Sequence, residues 1–330
     1  MTATTNDAAL AARLQERAGR RHRVIAAATV TAGEVTTAAL GADPHAGFEI
    51  GSISKGFTGL LYVDALERGE IGPESTLGDF LPLGTCPAAA LALSAVSTHT
   101  SGLPRLAPGS VNLRTMRELW LHGANPYGED LPELFEQATR LKKLGTPRSR
   151  YSNLGFELLG HAVASAAGTT YDDLVATRIA RPLRLASLYA PHTAEDLRPD
   201  ALRGTSRRGR PQQAWTGEAL APAGGIRASI EDMGRFTLAL LDGTAPGLAA
   251  LDPVTKVAGV VRIGAAWMTL DRHGRQVTWH NGGTGGFASW IGVDRTAGTG
   301  VVVLSATARS VDRMGMSMLT ELTEPTGATR

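Results

Sequence analysis

Strand-like segments stand at the two ends of this 330-residue chain, with a long block of helical signals between them. Near the start, a helix over 8–19 carries Leu10, Leu14 and Ala18 on one side. An apolar run over 24–30, a turn at Ala32-Gly33-Glu34 and a second run over 35–40 then predict two antiparallel strands. Strand signals return at 262–270, 276–280, 287–293 and 300–305, and a helix over about 310–322 closes the chain. From about 75 to 220 the pattern is helical, over 94–99, 115–122, 132–143, 154–167 and 171–179, broken by Pro and Gly. A further helix is predicted over 229–241. That order implies one sheet built from both chain ends, with a helical block inserted between them.

A hydrophobic content of 43% and a charged content of 19% are ordinary for a globular chain of this length. The net charge of +2, with both signs interspersed, makes no case for a nucleic-acid or membrane partner. The local run Arg20-Arg21-His22-Arg23 reads as a solvated helix end, and the basic segment 204–213 as an exposed loop. A single cysteine, Cys86, excludes an internal disulfide and any multi-cysteine metal cluster. The first residues lack the basic start and apolar core of a signal peptide, and no stretch of about eighteen apolar residues exists to span a bilayer. A cytoplasmic protein is the expectation.

The stretch most suggestive of chemistry is Phe48-Glu49-Ile50-Gly51-Ser52-Ile53-Ser54-Lys55-Gly56-Phe57. It reads as a strand end, a glycine turn and a helix that runs on through Leu60, Leu61 and Leu66. Ser52 falls at the helix start, and Lys55 lies three residues on, on the same face. A desolvated lysine with a lowered pKa can take the serine proton, and the helix N-terminus favours the charge that an attacked carbonyl develops. Two further stretches could complete such a site. Tyr151-Ser152-Asn153 places at a helix start a phenol that could shuttle a proton and an amide able to both donate and accept. His280-Asn281-Gly282-Gly283-Thr284-Gly285-Gly286 packs four glycines into five residues, a pattern that suits close approach by another backbone or a ligand.

In that order and at those separations, the three stretches resemble the serine β-lactamase and penicillin-binding-protein superfamily. The closest likeness is to class C β-lactamase-related serine hydrolases, including family VIII esterases and D-aminopeptidase-type enzymes. Thr98-His99-Thr100-Ser101-Gly102-Leu103-Pro104, Ala221-Pro222-Ala223-Gly224-Gly225 and Ala308-Arg309-Ser310-Val311-Asp312 add to the likeness. The resemblance implies an α/β (α+β) fold of β-lactamase/transpeptidase type, in which residues 8–58 and 221–330 form the sheet domain and 59–220 an all-helical lobe. The site would lie between them.

It implies Ser52 as acyl nucleophile, Lys55 as proton acceptor and Tyr151 as general base or acid. Asn153 and the strand His280, Asn281, Gly282 and Gly283 would hold the substrate, with the N–H groups of Ser52 and Gly283 as the oxyanion hole. No cofactor and no metal are implied. His280 departs from the family pattern, where a lysine is usual; its imidazole is largely neutral at pH 7, which suits neutral ester, amide or peptide substrates better than carboxylates. The same acyl-enzyme could serve an acyltransferase or cyclising thioesterase, and an intact motif set could also belong to a silent binding homologue. Oligomeric state is open. No Gly-x-Ser-x-Gly elbow, phosphate-binding Gly-Lys-Ser/Thr loop or His-Glu-x-x-His helix is present, and the eight histidines show no pairing at ligand spacing.

Overall fold

The computed structural model describes residues 6–106, 125, 130–146, 148–272 and 274–323. The helix expected over 115–122 lies outside these. An eight-stranded antiparallel sheet is built from β1 (Ile25–Thr31), β2 (Glu34–Leu40), β5 (Thr255–Ala258), β6 (Val261–Ile263), β7 (Met268–Arg272), β8 (Arg275–Gly283), β9 (Ala288–Asp294) and β10 (Thr299–Ser305), in the order β2-β1-β10-β9-β8-β7-β6-β5. The N-terminal hairpin meets the C-terminal strand directly: Ala27 lies opposite Val303 on one side and Ala38 on the other. β3 (Phe48–Glu49) and β4 (Arg227–Ala228) form a separate two-stranded sheet, again joining the early and late parts of the chain.

Strand alternation sorts the side chains between two layers. Ile25, Ala27, Trp290, Val301 and Val303 pack with Leu10 and Leu14 of α1 (Ala8–Ala18) and with Met318 and Leu319 of the last helix, α8 (Asp312–Thr323). Ala26, Ala28, Ile291, Val302 and Leu304 belong to the main core on the other face, with Met233 and Phe236 of α7 (Ile230–Asp242). Asp7 starts α1 by accepting from Leu10 N at 2.8 Å, and Ser229 starts α7 by accepting from Asp232 N at 3.2 Å.

Between α2 (Ser54–Glu67) and β4 the described residues add α3 (Leu93–Ser97), α4 (Leu131–Thr139), α5 (Asn153–Ala166) and α6 (Tyr171–Val175), and no strand of the large sheet. α2 is buried almost all round, which two glycines permit. A Cβ on Gly56 would stand 2.7 Å from the Trp267 ring, and one on Gly59 only 2.2 Å from Ala265 O. The single strand expected over 262–270 is two strands, because the chain turns sharply at Gly264, whose N–H donates to Trp267 O at 2.9 Å. β5 escaped the sequence reading: Thr255–Ala258 is short and alternates between half-buried and exposed positions, so it carries no apolar run. No described helix is long and apolar enough to cross a membrane.

Candidate active site

Ser52 sits on one tight helical turn, Gly51–Ile53, that leads straight into α2. Three contacts fix that turn. Gly51 has φ of +53°, and a Cβ there would fall 2.7 Å from Gly283 N, so only glycine fits. Ser54 Oγ donates to Gly51 O at 2.7 Å and accepts from Ile226 N at 3.2 Å. From the sheet, Ser289 Oγ donates to Ile50 O at 2.7 Å. Gly282 closes the assembly: a Cβ on it would lie 2.2 Å from Ile50 O and 2.9 Å from Ser52 N. The glycines of β8 thus let the strand lie against the backbone that carries Ser52, leaving Gly283 beside Gly51.

Lys55 is fully buried one turn along. Its Nζ donates to Ala223 O at 2.5 Å and stands 3.4 Å from Ser52 Oγ. Burial is the main cause that lowers its pKa to about 7; the Glu157 charge opposes the shift and Arg105 adds to it. No carboxylate among the described residues pairs with it. An amine in that state can be neutral near pH 7 and accept a proton from the hydroxyl beside it. Ala223 is held in place by close packing of its wide turn, Ala221–Gly225: Thr58 Oγ1 donates to Pro222 O at 2.7 Å, and Gly160 of α5 leaves no room for a Cβ beside Pro222.

Tyr151 lies against this lysine, with Nζ 4.8 Å from its ring centroid. The Arg105 guanidinium stands 5.8 Å from the same ring, so two cations, Lys55 and Arg105, lie near the phenol. Asn153 is buried at the first turn of α5, its N–H donating to Arg105 O at 3.0 Å. Ser152 between them caps the helix by accepting from Gly155 N at 2.9 Å.

The sequence reading gave no role to His99, which the structure packs against this group. Its ring is 4.6 Å from Tyr151 and 4.7 Å from Phe156, and its Nδ1 accepts from Ser152 N at 3.2 Å. Its φ is +59°, an unusual value for a residue with a side chain, and its buried Nε2 has no partner among the described residues. Burial, with Lys55 and His280 nearby, pushes its pKa well below the usual imidazole value. The signal for it was the stretch Thr98–Pro104, which the resemblance flagged without assigning its histidine.

His280 is buried on the site-facing side of β8, edge-on to Trp267 at 6.4 Å, with Nδ1 2.7 Å from Asn281 O. Burial and the Lys55 charge lower its pKa to about 4, so it is neutral at pH 7. The Asn281 side chain does not join this group. Strand alternation turns it to the opposite face, where Nδ2 donates to Asp312 Oδ2 at 3.0 Å. The structure therefore brings together Ser52, Lys55, Tyr151, Asn153, His280, Gly282 and Gly283, and sends the Asn281 side chain elsewhere. A cavity of about 830 Å³ lies between segments 192–204 and 212–218, and none of Ser52, Lys55, Tyr151 and His280 lines it.

The sequence profile of the family described as Beta-lactamase matches residues 9–323, nearly the whole chain. The chain belongs to the β-lactamase family. D-alanyl-D-alanine-carboxypeptidase/endopeptidase AmpH of Escherichia coli (strain K12) is 32% identical over 147 residues, 43% of this chain, a match spanning only 36% of that relative's length. Penicillin-binding protein 4 of Amycolatopsis lactamdurans is 26% identical over 289 residues, covering 77% of this chain and 70% of that one. A solved class C β-lactamase from Rhodobacter sphaeroides superposes with a TM-score of 0.77 at 22% identity, over 96% of this chain and 98% of that one. That likeness carries the fold of a β-lactamase-family protein, an antiparallel sheet flanked by helices.

Proposed function

We propose that this β-lactamase-family chain is a serine hydrolase that forms an acyl-enzyme through Ser52 and releases it to water, acting on a small ester, amide or peptide. The observation that carries the reading is Lys55: buried, held by Ala223 O, with its pKa lowered to about 7 and its Nζ 3.4 Å from Ser52 Oγ. Neutral Lys55 takes the Ser52 proton as Oγ attacks the carbonyl, and the N–H groups of Ser52 and Gly283 receive the oxyanion. Tyr151, beside Lys55, relays a proton to the leaving group and later takes one from the attacking water. Asn153 positions the lysine and the acyl group.

The relatives' names point to acyl compounds of peptide and β-lactam type, as in the D-alanyl-D-alanine-carboxypeptidase/endopeptidase. Against a carboxylate-bearing leaving group stands His280, buried and neutral where a fixed cation would be needed. Short neutral esters and amides are therefore the preferred substrates. Steady-state turnover of p-nitrophenyl acetate and butyrate, a D-amino-acid amide and a penicillin, each with wild type and Ser52→Ala, tests this. The reading predicts Ser52-dependent hydrolysis of the neutral esters; exclusive turnover of the penicillin, or ester hydrolysis undiminished in Ser52→Ala, would contradict it.

A further inference from the structure

A group of positive side chains lies on the outer face of the sheet, where α1 and α8 meet. Arg17, Arg21, His22, Arg309, Ser310 and Arg313 line a cavity of about 560 Å³ there. The face is the one to which Asn281 points, so the sheet separates this cavity from Ser52 and His280. Two of the residues come from the run Arg20-Arg21-His22-Arg23, which the sequence alone presented as a solvated helix end.

The charges in this cavity are poorly answered. Arg17 is satisfied, because its Nη2 lies 2.5 and 2.6 Å from the two Glu321 carboxylate oxygens. Among the described residues no carboxylate pairs with Arg21, Arg309 or Arg313. The neighbouring Asp312 carboxylate accepts instead from Asn281 Nδ2 at 3.0 Å. Arg309 Nε is buried with no acceptor among the described residues, a costly state for a guanidinium N–H. His22 is buried with Nδ1 2.8 Å from Ser305 Oγ, and the charges of Arg309 and Arg21 reinforce the effect of burial in lowering its pKa.

Two further features add donors and field of the same sign. Ser310 Oγ accepts from Asp312 N at 3.2 Å, so its O–H is left to donate, at the positive end of α8. The basic loop 204–213 is stitched to the same segment, with Thr205 N donating to Ala306 O at 3.0 Å and Arg207 Nε to Ala308 O at 3.1 Å. That brings Arg207 to the residue before Arg309. Guanidinium forks match tetrahedral oxyanions in charge and in hydrogen-bond geometry. The cavity opens to solvent between α1 and α8, and its volume of about 560 Å³ is in the range of small-molecule sites.

We propose that this cavity binds a phosphate-class oxyanion, either free or as the monoester group of a small molecule. Isothermal titration of the full chain at constant ionic strength, with inorganic phosphate, glucose 6-phosphate and a short DNA duplex, tests it. Saturable one-to-one binding of phosphate or the sugar phosphate is expected, weakened at least about tenfold in Arg309→Gln and in Arg313→Gln. Ester turnover should be unchanged in both. Arg21 and Arg313 are exposed, so Arg21→Gln and Arg313→Gln keep the test intact if Arg309→Gln does not fold. Tighter binding of the sugar phosphate assigns the monoester, and tighter binding of phosphate assigns the free ion. Absence of saturable binding by either, or binding undiminished in Arg21→Gln and Arg313→Gln, overturns the proposal. So would preferential binding of the duplex with a steep salt dependence, which belongs to a nucleic-acid surface.

Discussion

Lys55 ties the chemistry to a number. A base works in its unprotonated form, so with its pKa lowered to about 7 the acylation rate constant should rise about tenfold per pH unit below pH 7 and level off above it. A pH profile of kcat/KM for a neutral ester checks this; a flat profile from pH 5 to 9 would remove Lys55 as the base. His280 offers the complementary test. His280→Lys places a cation on the site-facing side of β8 and should raise kcat/KM for a carboxylate-bearing substrate over a neutral one by at least about tenfold. It should also move the Lys55 inflection to lower pH, because a second cation disfavours the protonated amine. At this scale Ser52, Lys55 and Tyr151 were legible because a motif names them. The partner of Lys55 was less so, since Ala223 acts through a carbonyl that any residue would supply. His99 was hidden for a similar reason: its place depends on a positive φ and on two rings that meet it in space.

At the scale of elements, the site is a meeting of α2, α5, the Ala221–Gly225 turn and β8, and glycine sets the distances. Gly282→Ala would put a methyl group 2.2 Å from Ile50 O and 2.4 Å from Ser289 Oγ, so β8 must move away from the Ser52 turn. Loss of roughly 10²-fold or more in kcat is expected, the scale of one oxyanion donor, with helical content retained. Turnover within a factor of about two of wild type would mean that the close approach is not what shapes the hole. The long strands were readable from their apolar runs and turns, β1, β2, β9 and β10 above all. β5 was not, because edge strands with one wet face carry little apolar signal, and β6 and β7 merged because the turn at Gly264 falls inside one apolar stretch. For Asn281, sequence could name the residue but not the face of β8, which the register with β9 decides: it lies opposite Trp290, and His280 opposite Ile291.

At the scale of the molecule, strands from both chain ends are clamped near the site by a buried ion pair. Arg227 Nη1 meets Glu49 Oε1 at 3.0 Å, and Arg227 Nη2 also donates to Gly47 O and Leu202 O at 3.0 and 2.6 Å. Glu49 further accepts from Trp215 N at 2.9 Å, tying in the loop that precedes the Ala223 turn. Glu49→Leu should destabilise the protein by about 3–5 kcal/mol by leaving a buried guanidinium unpaired, and adding Arg227→Met should recover part of the loss. Urea unfolding of the two variants measures this, and equal stability of Glu49→Leu and wild type would refute the clamp. The overall architecture was legible from the order of strand and helix signals, whereas this joint was not, because nothing in the sequence pairs Glu49 with a residue 178 positions away. An acyl-enzyme on Ser52 would be read from the intact mass of the protein quenched within seconds of mixing with p-nitrophenyl butyrate, followed by peptide mapping. A single butyryl addition on the peptide containing Ser52 is expected, absent in Ser52→Ala and slowed by orders of magnitude in Lys55→Ala. An adduct on another peptide, or one formed equally well in Ser52→Ala, would contradict it.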